Sequence, residues 1–532
     1  MDLLNDLFRS APWSALRTGL HIAFVVSILY LLKQMLQLRA LAGMRHLAKP
    51  KPWLGPVVIV LGLAFAAILA YQASWQLGGT SRPRFIAFMQ LHDRRQFNPA
   101  HWIHRGRILD HRGEVLAASR EVGGNVRRIY PDGPVFAHAV GYAHPRYGTA
   151  GIERIANVQL NGGLPDSLGD WGELGRHLLT QDKRIRGQDL TLTLDADLQR
   201  LAVERLSAAG NGRGAVVMLR PADGALRVLA STPAFDPNRI DGSLFAGADP
   251  GTPLLNRATQ GQYPPGSTFK VVMAAQAVEA GFSGLIDCPA DGYTTSSRYR
   301  PIRDHEYYSA QRAGRSWRGH GRLDLATALA KSSNVFFAQL GVYYGHDALD
   351  ASARRFLFNR DVTIADSLSG RLTMQTGRLP DIPERDRYGL AQASIGQGKV
   401  LTTPAHMALI MAAVGNGGVA MKPLLIAGDT PEPLGRMMSA ATAARLVHML
   451  RRVVTEGTGH GIDTPGIAIA GKTGTAENPF GDSHSWFIGL APAHRPALAV
   501  AVLVEQGGYG SQTAAPIARD LFAAAAERGM LQ

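Results

Sequence analysis

Two apolar blocks near the N-terminus constrain the fold of this chain more than any other feature of its sequence. The first covers residues 18–32, and the second runs without a charged residue over residues 52–81. A helix needs about 20 apolar residues to cross a bilayer, so the second block is long enough and the first is near or below the minimum. We predict a membrane anchor over residues 1–81 with two candidate transmembrane helices, the first of which could instead lie at the interface.

The segment between the two blocks is basic. It contains no acidic residue, and its charged residues are Lys33, Arg39, Arg45, Lys49 and Lys51. By the positive-inside rule this segment faces the cytoplasm, so everything after Ser81 is expected on the outer side of the membrane. No small-residue cleavage site follows the first block, and we therefore expect the anchor to be retained.

Length, charge and cysteine content set further limits. A chain of 532 residues is too long for one compact core, so two or three folding units are expected. The formal net charge of +14 suits an anionic partner, but runs of basic residues and zinc-finger spacings are missing, and we do not predict nucleic-acid binding. Cys288 is the single cysteine, which excludes an intrachain disulfide and is most simply a small buried residue.

After the anchor, the sequence changes character twice. Residues 82–188 are polar and interrupted by Gly and Pro, which indicates a small connecting domain. Residues 189–532 begin with a strand hairpin around the turn 221–224, continue with helical periodicity, and end with two strands and a helix over residues 516–526 that Thr513 would cap. This order predicts an α+β domain in which an antiparallel sheet packs between helices.

The first chemical motif is a serine and a lysine that follow a Pro/Gly turn. Ser267 directly follows Gly266 and is expected to begin a helix. Positions three apart share a helical face, so Lys270 can bring its amine within hydrogen-bond reach of the Ser267 hydroxyl. The lysine acts as a base only if burial, nearby positive charge or a helix dipole lowers its pKa. Alone, this spacing usually means a helix cap followed by a surface lysine.

The second motif, Lys331-Ser332-Ser333-Asn334, precedes an apolar run and also fits the start of a helix. Ser332 could pass a proton between Lys270 and a leaving amine, and the Asn334 amide could hold a substrate carbonyl. Serine and asparagine cap helices in proteins of every kind, so this motif alone has little weight.

The third motif is a stretch of small residues around Lys472. Gly474 would allow a peptide backbone to approach closely, and the N–H of Thr475 could join that of Ser267 in an oxyanion hole. Lys472 and the Thr473 hydroxyl would bind a carboxylate. This stretch is expected to be a strand that faces a cleft.

Residues 466–473 also satisfy the phosphate-binding pattern Gly-x-x-x-x-Gly-Lys-Thr. A true phosphate-binding loop follows a strand and opens a helix. Here residues 467–470 alternate like a strand themselves, and Gly474, Asn478 and Pro479 disfavour a helix afterwards. We therefore interpret the match as a false positive.

Together, Ser-x-x-Lys, Ser-x-Asn and Lys-Thr-Gly form the motif set of penicillin-recognising enzymes. In their order and separation, residues 265–270 and 471–477 resemble class B penicillin-binding proteins. Residues 105–117 resemble the juxtamembrane signature of that family and residues 148–162 its linker, and residues 396–404, 416–418 and 484–492 also resemble the family. The resemblance therefore covers roughly residues 98–520. It implies the penicillin-recognising serine transpeptidase fold.

The chain departs from that family in two places. Only a few residues separate Ser119 from Tyr130, where the well-known elongation and division enzymes carry a long pedestal, so the chain resembles a minimal-pedestal variant. The family usually has one membrane span, and the resemblance leaves residues 18–32 unexplained.

A group of potential ligands resembles a zinc site of some elongation-type relatives. The group is Asp287, Cys288, Asp304, His305 and His320. Its spacing is irregular, and we predict neither a bound metal nor another cofactor.

The resemblance implies an acyl transfer on the peptide stems of bacterial peptidoglycan. Ser267 would attack the D-Ala-D-Ala carbonyl, the terminal D-Ala would leave, and an amine on a neighbouring stem would take the acyl group, while β-lactams would trap the same serine. The residues with implied roles are Ser267, Lys270, Ser332, Asn334 and Lys472 in catalysis and Thr473, Gly474 and Thr475 in substrate binding.

The resemblance also implies a location and a partner. The chain would lie in the bacterial cytoplasmic membrane with its catalytic domain outside, and a RodA/FtsW-type glycosyltransferase would supply the glycan. Two alternatives stay open. One is a D,D-carboxypeptidase or β-lactamase-like hydrolase, in which water replaces the amine, and the other is a β-lactam sensor or noncatalytic scaffold.

Overall fold

The computed structural model describes residues 33, 60–69, 103–123, 125–162, 185–247, 249–367, 369–478 and 481–532. The chain divides into two units, Met1–Arg82 and Pro83–Gln532. The predicted segment 18–32 lies outside the described residues, and of residues 52–81 only the helical stretch 60–69 is described. Within these described ranges, every helix is too short or too polar to cross a membrane.

The second unit begins with a small four-stranded sheet. Its strands, in spatial order, are Asn125–Ile129, Val115–Val122, Ile108–Leu109 and Leu190–Thr191. The first three pair in antiparallel fashion, whereas Ile108 pairs in parallel with Leu190. Shorter elements surround them: helices Gly133–Phe136, Ala137–Val140, Gly151–Ile155 and Asn157–Leu160, and the strand pairs Ile103–His104 with Ile185–Arg186 and Ala143–His144 with Gly148–Thr149.

An ion-pair network lies beside this sheet, in the part of the unit over residues 103–162 that we call the small domain. The carboxylate of Glu153 is fully buried and accepts hydrogen bonds from Arg105 Nη2 at 2.7 Å, Arg128 Nε at 2.6 Å and the Tyr130 hydroxyl at 3.1 Å. Burial alone would raise the pKa of Glu153, but the two guanidinium groups outweigh it and lower that pKa. The network therefore keeps its central charge.

The rest of the same unit is built on a five-stranded antiparallel sheet. Its strands, in spatial order, are Leu226–Thr232, Gly214–Leu219, Leu498–Val504, His484–Ala491 and Ala470–Ala476. The first two form the hairpin that the turn 221–224 predicts. Ala470–Ala476 is the last strand in this order, and we call it the edge strand. The unpaired side of an edge strand leaves backbone N–H and C=O groups free to meet a ligand.

Helices cover both faces of this sheet, as the order of elements predicts. On one face, Ala196–Ala208 buries Leu198 and Leu206 together with residues of Ala514–Glu527. On the other face, the apolar helix Pro404–Gly415 packs against the central strand. Strands buried on both faces are expected to be apolar throughout, and Leu498–Val504 is.

The C-terminal helix corrects one prediction. It spans Ala514–Glu527, and Thr513 precedes it as expected. The Thr513 hydroxyl nevertheless donates to the Gly507 carbonyl oxygen at 2.7 Å and caps no helical N–H. Residue type and position alone did not reveal this competing acceptor in the preceding loop.

The helical block between the early and late strands carries the remaining elements. Its helices are Gly266–Phe269, Lys270–Glu279, His305–Arg312, Leu325–Lys331, Asn334–Arg355, Arg387–Ser394 and Ala440–Thr455, with the short turn Ser243–Phe245 before them. Three small antiparallel pairs join them: Ile286–Cys288 with Gly321–Leu323, Asp361–Ser367 with Gly370–Gln375, and Val419–Met421 with Pro433–Arg436.

Candidate active site

Ser267 lies in a tight turn between the sheet and a buried helix. The turn is the 3-10 segment Gly266–Phe269, and the α-helix that we expected at Ser267 begins at Lys270 instead. Gly266 has φ +52°, and a Cβ at that position would lie 2.7 Å from the Thr475 carbonyl oxygen. Only glycine fits this conformation and this close approach, so the turn is held against the edge strand.

The amine of Lys270 joins the first two motifs. Its Nζ lies 3.0 Å from Ser267 Oγ and 2.7 Å from Asn334 Oδ1, and it donates to the Ser332 carbonyl oxygen at 2.6 Å. These acceptors come from the nucleophile turn and from a segment more than 60 residues away in sequence. The amine is therefore fixed from both sides of the cleft.

The protonation of Lys270 is shifted toward the neutral form. The residue is fully buried, and burial lowers its pKa from 10.5 to about 7 although the carboxylates of Asp304 and Glu306 oppose this effect. A neutral amine beside a hydroxyl can accept its proton, so the pair has the geometry and the protonation state of a nucleophile with its base.

Ser332 occupies a strained position between two helices. It follows Leu325–Lys331 and adopts a left-handed conformation with φ 59°. The next residue, Ser333, caps Asn334–Arg355 by accepting from the Phe336 N–H at 3.1 Å. A non-glycine residue in this region costs free energy and is held there by its surroundings.

The Ser332 hydroxyl bridges the two lysines of the motifs. Its Oγ lies 3.3 Å from Lys270 Nζ and 2.9 Å from Lys472 Nζ. Lys472 is fully buried in the edge strand and also donates to the Thr473 carbonyl oxygen at 2.9 Å. Burial and then the neighbouring Lys270 hold the pKa of Lys472 well below its usual value. Because Lys472 lies within a strand, the phosphate-binding-loop interpretation does not apply.

The threonines of the third motif have defined partners. Thr473 Oγ1 lies 2.6 Å from Thr458 Oγ1, and Thr475 Oγ1 accepts from the Gly510 N–H at 3.4 Å. Thr473 lies beside Lys472, and Thr475 lies beside the nucleophile turn at Gly266. The middle of the edge strand, at Thr473, and its end, at Thr475, thus have different neighbours.

Gly474 has a packing role that we did not expect. A Cβ at this position would lie 2.8 Å from Thr268 Cγ2 and 3.0 Å from Trp486 Cβ. The space that a side chain would need is therefore filled by the protein's own atoms. In this structure the glycine lets the nucleophile turn pack against the sheet.

Two residues of this site, Asp304 and Thr458, were not predicted from the sequence to belong to it. Asp304, considered only as a metal ligand, accepts from Ser333 Oγ at 3.0 Å and from the Val335 N–H at 3.1 Å, so it anchors the segment that carries Asn334. Thr458 lies between two glycines, which signals a loop but not its contact with Thr473. Neither contact has a local signature.

Two of the potential zinc ligands, Asp304 and His320, lie near each other, but they do not form a complete ligand set. Among the residues that the structure describes, no group of three or more His, Cys, Asp and Glu side chains could hold a metal ion. Asp304 is occupied by the Ser333 hydroxyl and a backbone N–H, and His320 Nε2 lies 3.9 Å from its carboxylate. Cys288 is buried. The observed arrangement therefore does not fit the zinc site that the resemblance suggests.

Comparisons with known proteins match this arrangement to a family. The penicillin binding protein transpeptidase domain matches residues 214–523, and the dimerisation domain of penicillin binding protein A matches residues 105–173. Peptidoglycan D,D-transpeptidase PbpA of Mycolicibacterium smegmatis is 34% identical over 78% of this chain and 88% of its own length. Peptidoglycan D,D-transpeptidase MrdA of Acinetobacter baumannii is 30% identical over 74% of this chain and 65% of its own length.

Solved structures agree with these relatives. A ceftriaxone acyl-enzyme complex of penicillin-binding protein A from M. tuberculosis has a TM-score of 0.70 and 30% identity, and the match covers 81% of this chain and 100% of that one. Pseudomonas aeruginosa PBP2 in complex with WCK 5153 has a TM-score of 0.64 and 29% identity, and the match covers 79% of this chain and 96% of that one. The chain therefore belongs to the penicillin-binding protein transpeptidase family, as a class B penicillin-binding protein.

Proposed function

We propose that this protein is a peptidoglycan D,D-transpeptidase that forms an acyl-enzyme at Ser267 and that β-lactams acylate the same serine. The observation that carries the proposal is the buried Lys270 amine, 3.0 Å from Ser267 Oγ and with its pKa lowered to about 7 by burial. The names of the relatives and the β-lactam acyl-enzymes among the similar structures support it.

In the acylation step, neutral Lys270 takes the proton of Ser267 while Oγ attacks the carbonyl carbon between the two D-alanines. The backbone N–H groups of Ser267 and Thr475 would stabilise the oxyanion, since the turn lies against the edge strand. The tetrahedral intermediate then collapses, the C–N bond breaks, and the terminal D-Ala leaves with a proton. Ser332 is placed to pass that proton, because its hydroxyl lies 3.3 Å from the Lys270 amine.

We assign Lys472 and Thr473 to the terminal carboxylate of the donor peptide. The buried Lys472 amine has its pKa held low by burial and by Lys270, so an arriving carboxylate would favour its charged form. The pair would then form a charge-assisted hydrogen bond. Asn334 would hold a substrate carbonyl through its amide N–H, once that group exchanges its contact with the Arg303 carbonyl oxygen.

An amine on a neighbouring stem peptide would complete the reaction by attacking the Ser267 ester. We propose the division into an anchor (1–81), a connecting domain (82–188) and a transpeptidase domain (189–532). The apolar blocks support a place in the bacterial cytoplasmic membrane with the catalytic domain outside. A RodA/FtsW-type glycosyltransferase would supply the glycan strands.

Purified full-length protein tests the proposal in two steps. A fluorescent penicillin should label the wild type covalently and leave Ser267→Ala unlabelled, because the variant lacks the nucleophile. Lipid-linked precursor and a glycan polymerase should then yield cross-linked peptides. Product containing only trimmed stems would instead identify a carboxypeptidase, and labelling without any turnover would identify a sensor or scaffold. Labelling of Ser267→Ala would remove this serine as the nucleophile.

A further inference from the structure

A segment beside the site concentrates positive charge. Residues 298–322, the arginine-rich segment, contain seven arginines and two acidic residues. The arginines are Arg298, Arg300, Arg303, Arg312, Arg315, Arg318 and Arg322. All of them except the partly buried Arg303 are exposed. None of the catalytic roles proposed above uses these side chains.

The positive charge of this segment is offset only in part, by Asp287, which lies opposite Arg322 in the strand pair. Its two acidic residues are directed elsewhere, because Asp304 is buried against Ser333 and Glu306 lies 3.5 Å from His320. In the described part of the chain, none of the seven guanidinium groups lies within the 4.0 Å of a carboxylate oxygen that defines an ion pair. The segment therefore presents unpaired cations to solvent.

The segment joins the two sides of the catalytic cleft. At one end the Arg303 carbonyl oxygen accepts from Asn334 Nδ2 at 3.0 Å. The helix His305–Arg312 then leads to Arg312, whose Nη2 donates to the Tyr509 hydroxyl at 3.3 Å. Tyr509 precedes Gly510, whose N–H contacts the edge strand at Thr475. The segment therefore contacts the Asn334 side of the site through Arg303 and the edge-strand side through Arg312 and Tyr509.

Exposed aromatic rings lie among the arginines. Tyr299 stacks on Tyr388 with ring centroids 4.1 Å apart and planes only 4° from parallel, and it remains 40% exposed. The Arg298 guanidinium lies 5.8 Å from the centre of the Tyr299 ring, and Tyr308 is 45% exposed. Flat rings beside guanidinium groups suit a peptide that carries carboxylates along an extended backbone.

We propose that the arginine-rich segment binds the carboxylates of the acceptor peptide, the second acidic peptide that the reaction requires. This inference rests on the proposed transpeptidase function. Lys472 is buried and can serve only the donor carboxylate, whereas the acceptor must reach the acyl group after the donor already fills the cleft. Exposed guanidinium groups pair with carboxylates through two parallel hydrogen bonds and would orient the incoming amine.

Acceptor kinetics of the full-length enzyme in detergent test this proposal. A thioester donor with a free terminal carboxylate is paired with one of two acceptor peptides, which differ only in having free or amidated side carboxylates. We expect Arg312→Gln/Arg315→Gln to raise the KM of the acidic acceptor about fivefold, as two exposed ion pairs would. The KM of the amidated acceptor should stay the same. Arg298→Gln/Arg300→Gln should act in the same direction.

The matched control is Arg120→Gln/Arg445→Gln, which removes two exposed arginines elsewhere. It should leave both KM values unchanged. Equal changes for the two acceptors, or none, would overturn the proposal. So would loss of binding to anionic lipid vesicles with unchanged acceptor kinetics, because a lipid surface would then be the ligand. Consumption of the thioester donor distinguishes the proposed transpeptidase function from the proposed acceptor binding. If the wild-type enzyme does not consume the thioester, the transpeptidase function itself is contradicted.

Discussion

The small domain and the active site both bury ionisable groups. The first pairs its buried group with opposite charges, and the second does not. In the small domain, the Glu153 carboxylate contacts the guanidinium groups of Arg105 and Arg128. In the active site, the hydrogen bonds described for Lys270 and Lys472 go to hydroxyl, carbonyl and amide oxygens. One region pairs its charges, and the other leaves two amines without a contacting carboxylate.

This difference explains why the ion pairs of Glu153 stabilise the fold, whereas Lys270 can take part in proton transfer. Pairing lowers the pKa of Glu153 and keeps it ionised, so its interactions are constant across the neutral range. Burial without such pairing lowers the pKa of Lys270 to about 7, so that amine exchanges its proton near neutral pH. A buried lysine that loses its proton easily is costly as a structural element and useful as a base.

Among the variants predicted here, Lys270→Arg should have the largest effect, which is on the acylation rate. A guanidinium cannot lose its proton at working pH, so it cannot serve as the base for Ser267. We expect the penicillin acylation rate to fall about 1,000-fold, as for the loss of a general base. Stopped-flow labelling with a fluorescent penicillin measures it. Acylation at the normal rate would mean that another group is the base.

Glu153→Gln should lower the unfolding free energy of the protein. The variant leaves two largely buried guanidinium groups without their carboxylate, and breaking a buried ion pair in this way destabilises a protein by about 3 to 5 kcal/mol. Denaturant unfolding of the full-length protein should show this loss. Glu114→Gln is the control, because Glu114 pairs with Arg200 at the surface and such a pair contributes about 0 to 1 kcal/mol. Equal effects of the two variants would contradict the assigned role of Glu153.

Lys472→Ala sharpens the comparison between the two lysines. We expect a roughly ten- to hundredfold lower acylation rate, because the variant loses one charge-assisted contact worth about 1.5 to 3 kcal/mol. A penicillin analogue with an amide in place of its carboxylate should react about equally poorly with wild type and variant. If the variant also loses reactivity toward that analogue, Lys472 acts on the chemistry or the fold and not on the carboxylate.

The sequence predicts the local parts of this site better than its environment. Residues three apart, such as Ser267 and Lys270, lie on the same face of a 3-10 helix and of an α-helix. Their contact is therefore predicted correctly, although the α-helix begins later than expected. The hairpin and the flanking helices follow from equally local patterns. The family motifs then supply Ser332, Asn334 and Lys472, which the structure brings within hydrogen-bond distance of one another or of Lys270.

The rest depends on contacts between distant segments. Asp304 supports the Asn334 helix from outside any motif, and Thr458 meets Thr473 across a loop. Gly474 faces Thr268 and Trp486, a packing relation that no spacing in the sequence encodes. Each of these depends on how the turn, the helices and the sheet are placed in three dimensions.

The smallest expected effect is a pH dependence that separates the two regions. With a Lys270 pKa of about 7, the neutral fraction of its amine falls about tenfold between pH 8 and pH 6, and the rate constant for penicillin acylation should fall with it. Because this pKa is below the unfolded value of 10.5, the unfolding free energy should rise from about pH 7 to pH 10.5. Glu153 has the same sign in a lower pH range: its lowered pKa stabilises the fold above about pH 4.5, and that contribution is lost as the pH falls through the lowered pKa. Rates measured from pH 5.5 to 8.5 should therefore titrate while the contribution of the small domain stays constant. A rate constant that does not change with pH across this range would contradict Lys270 as the titrating base.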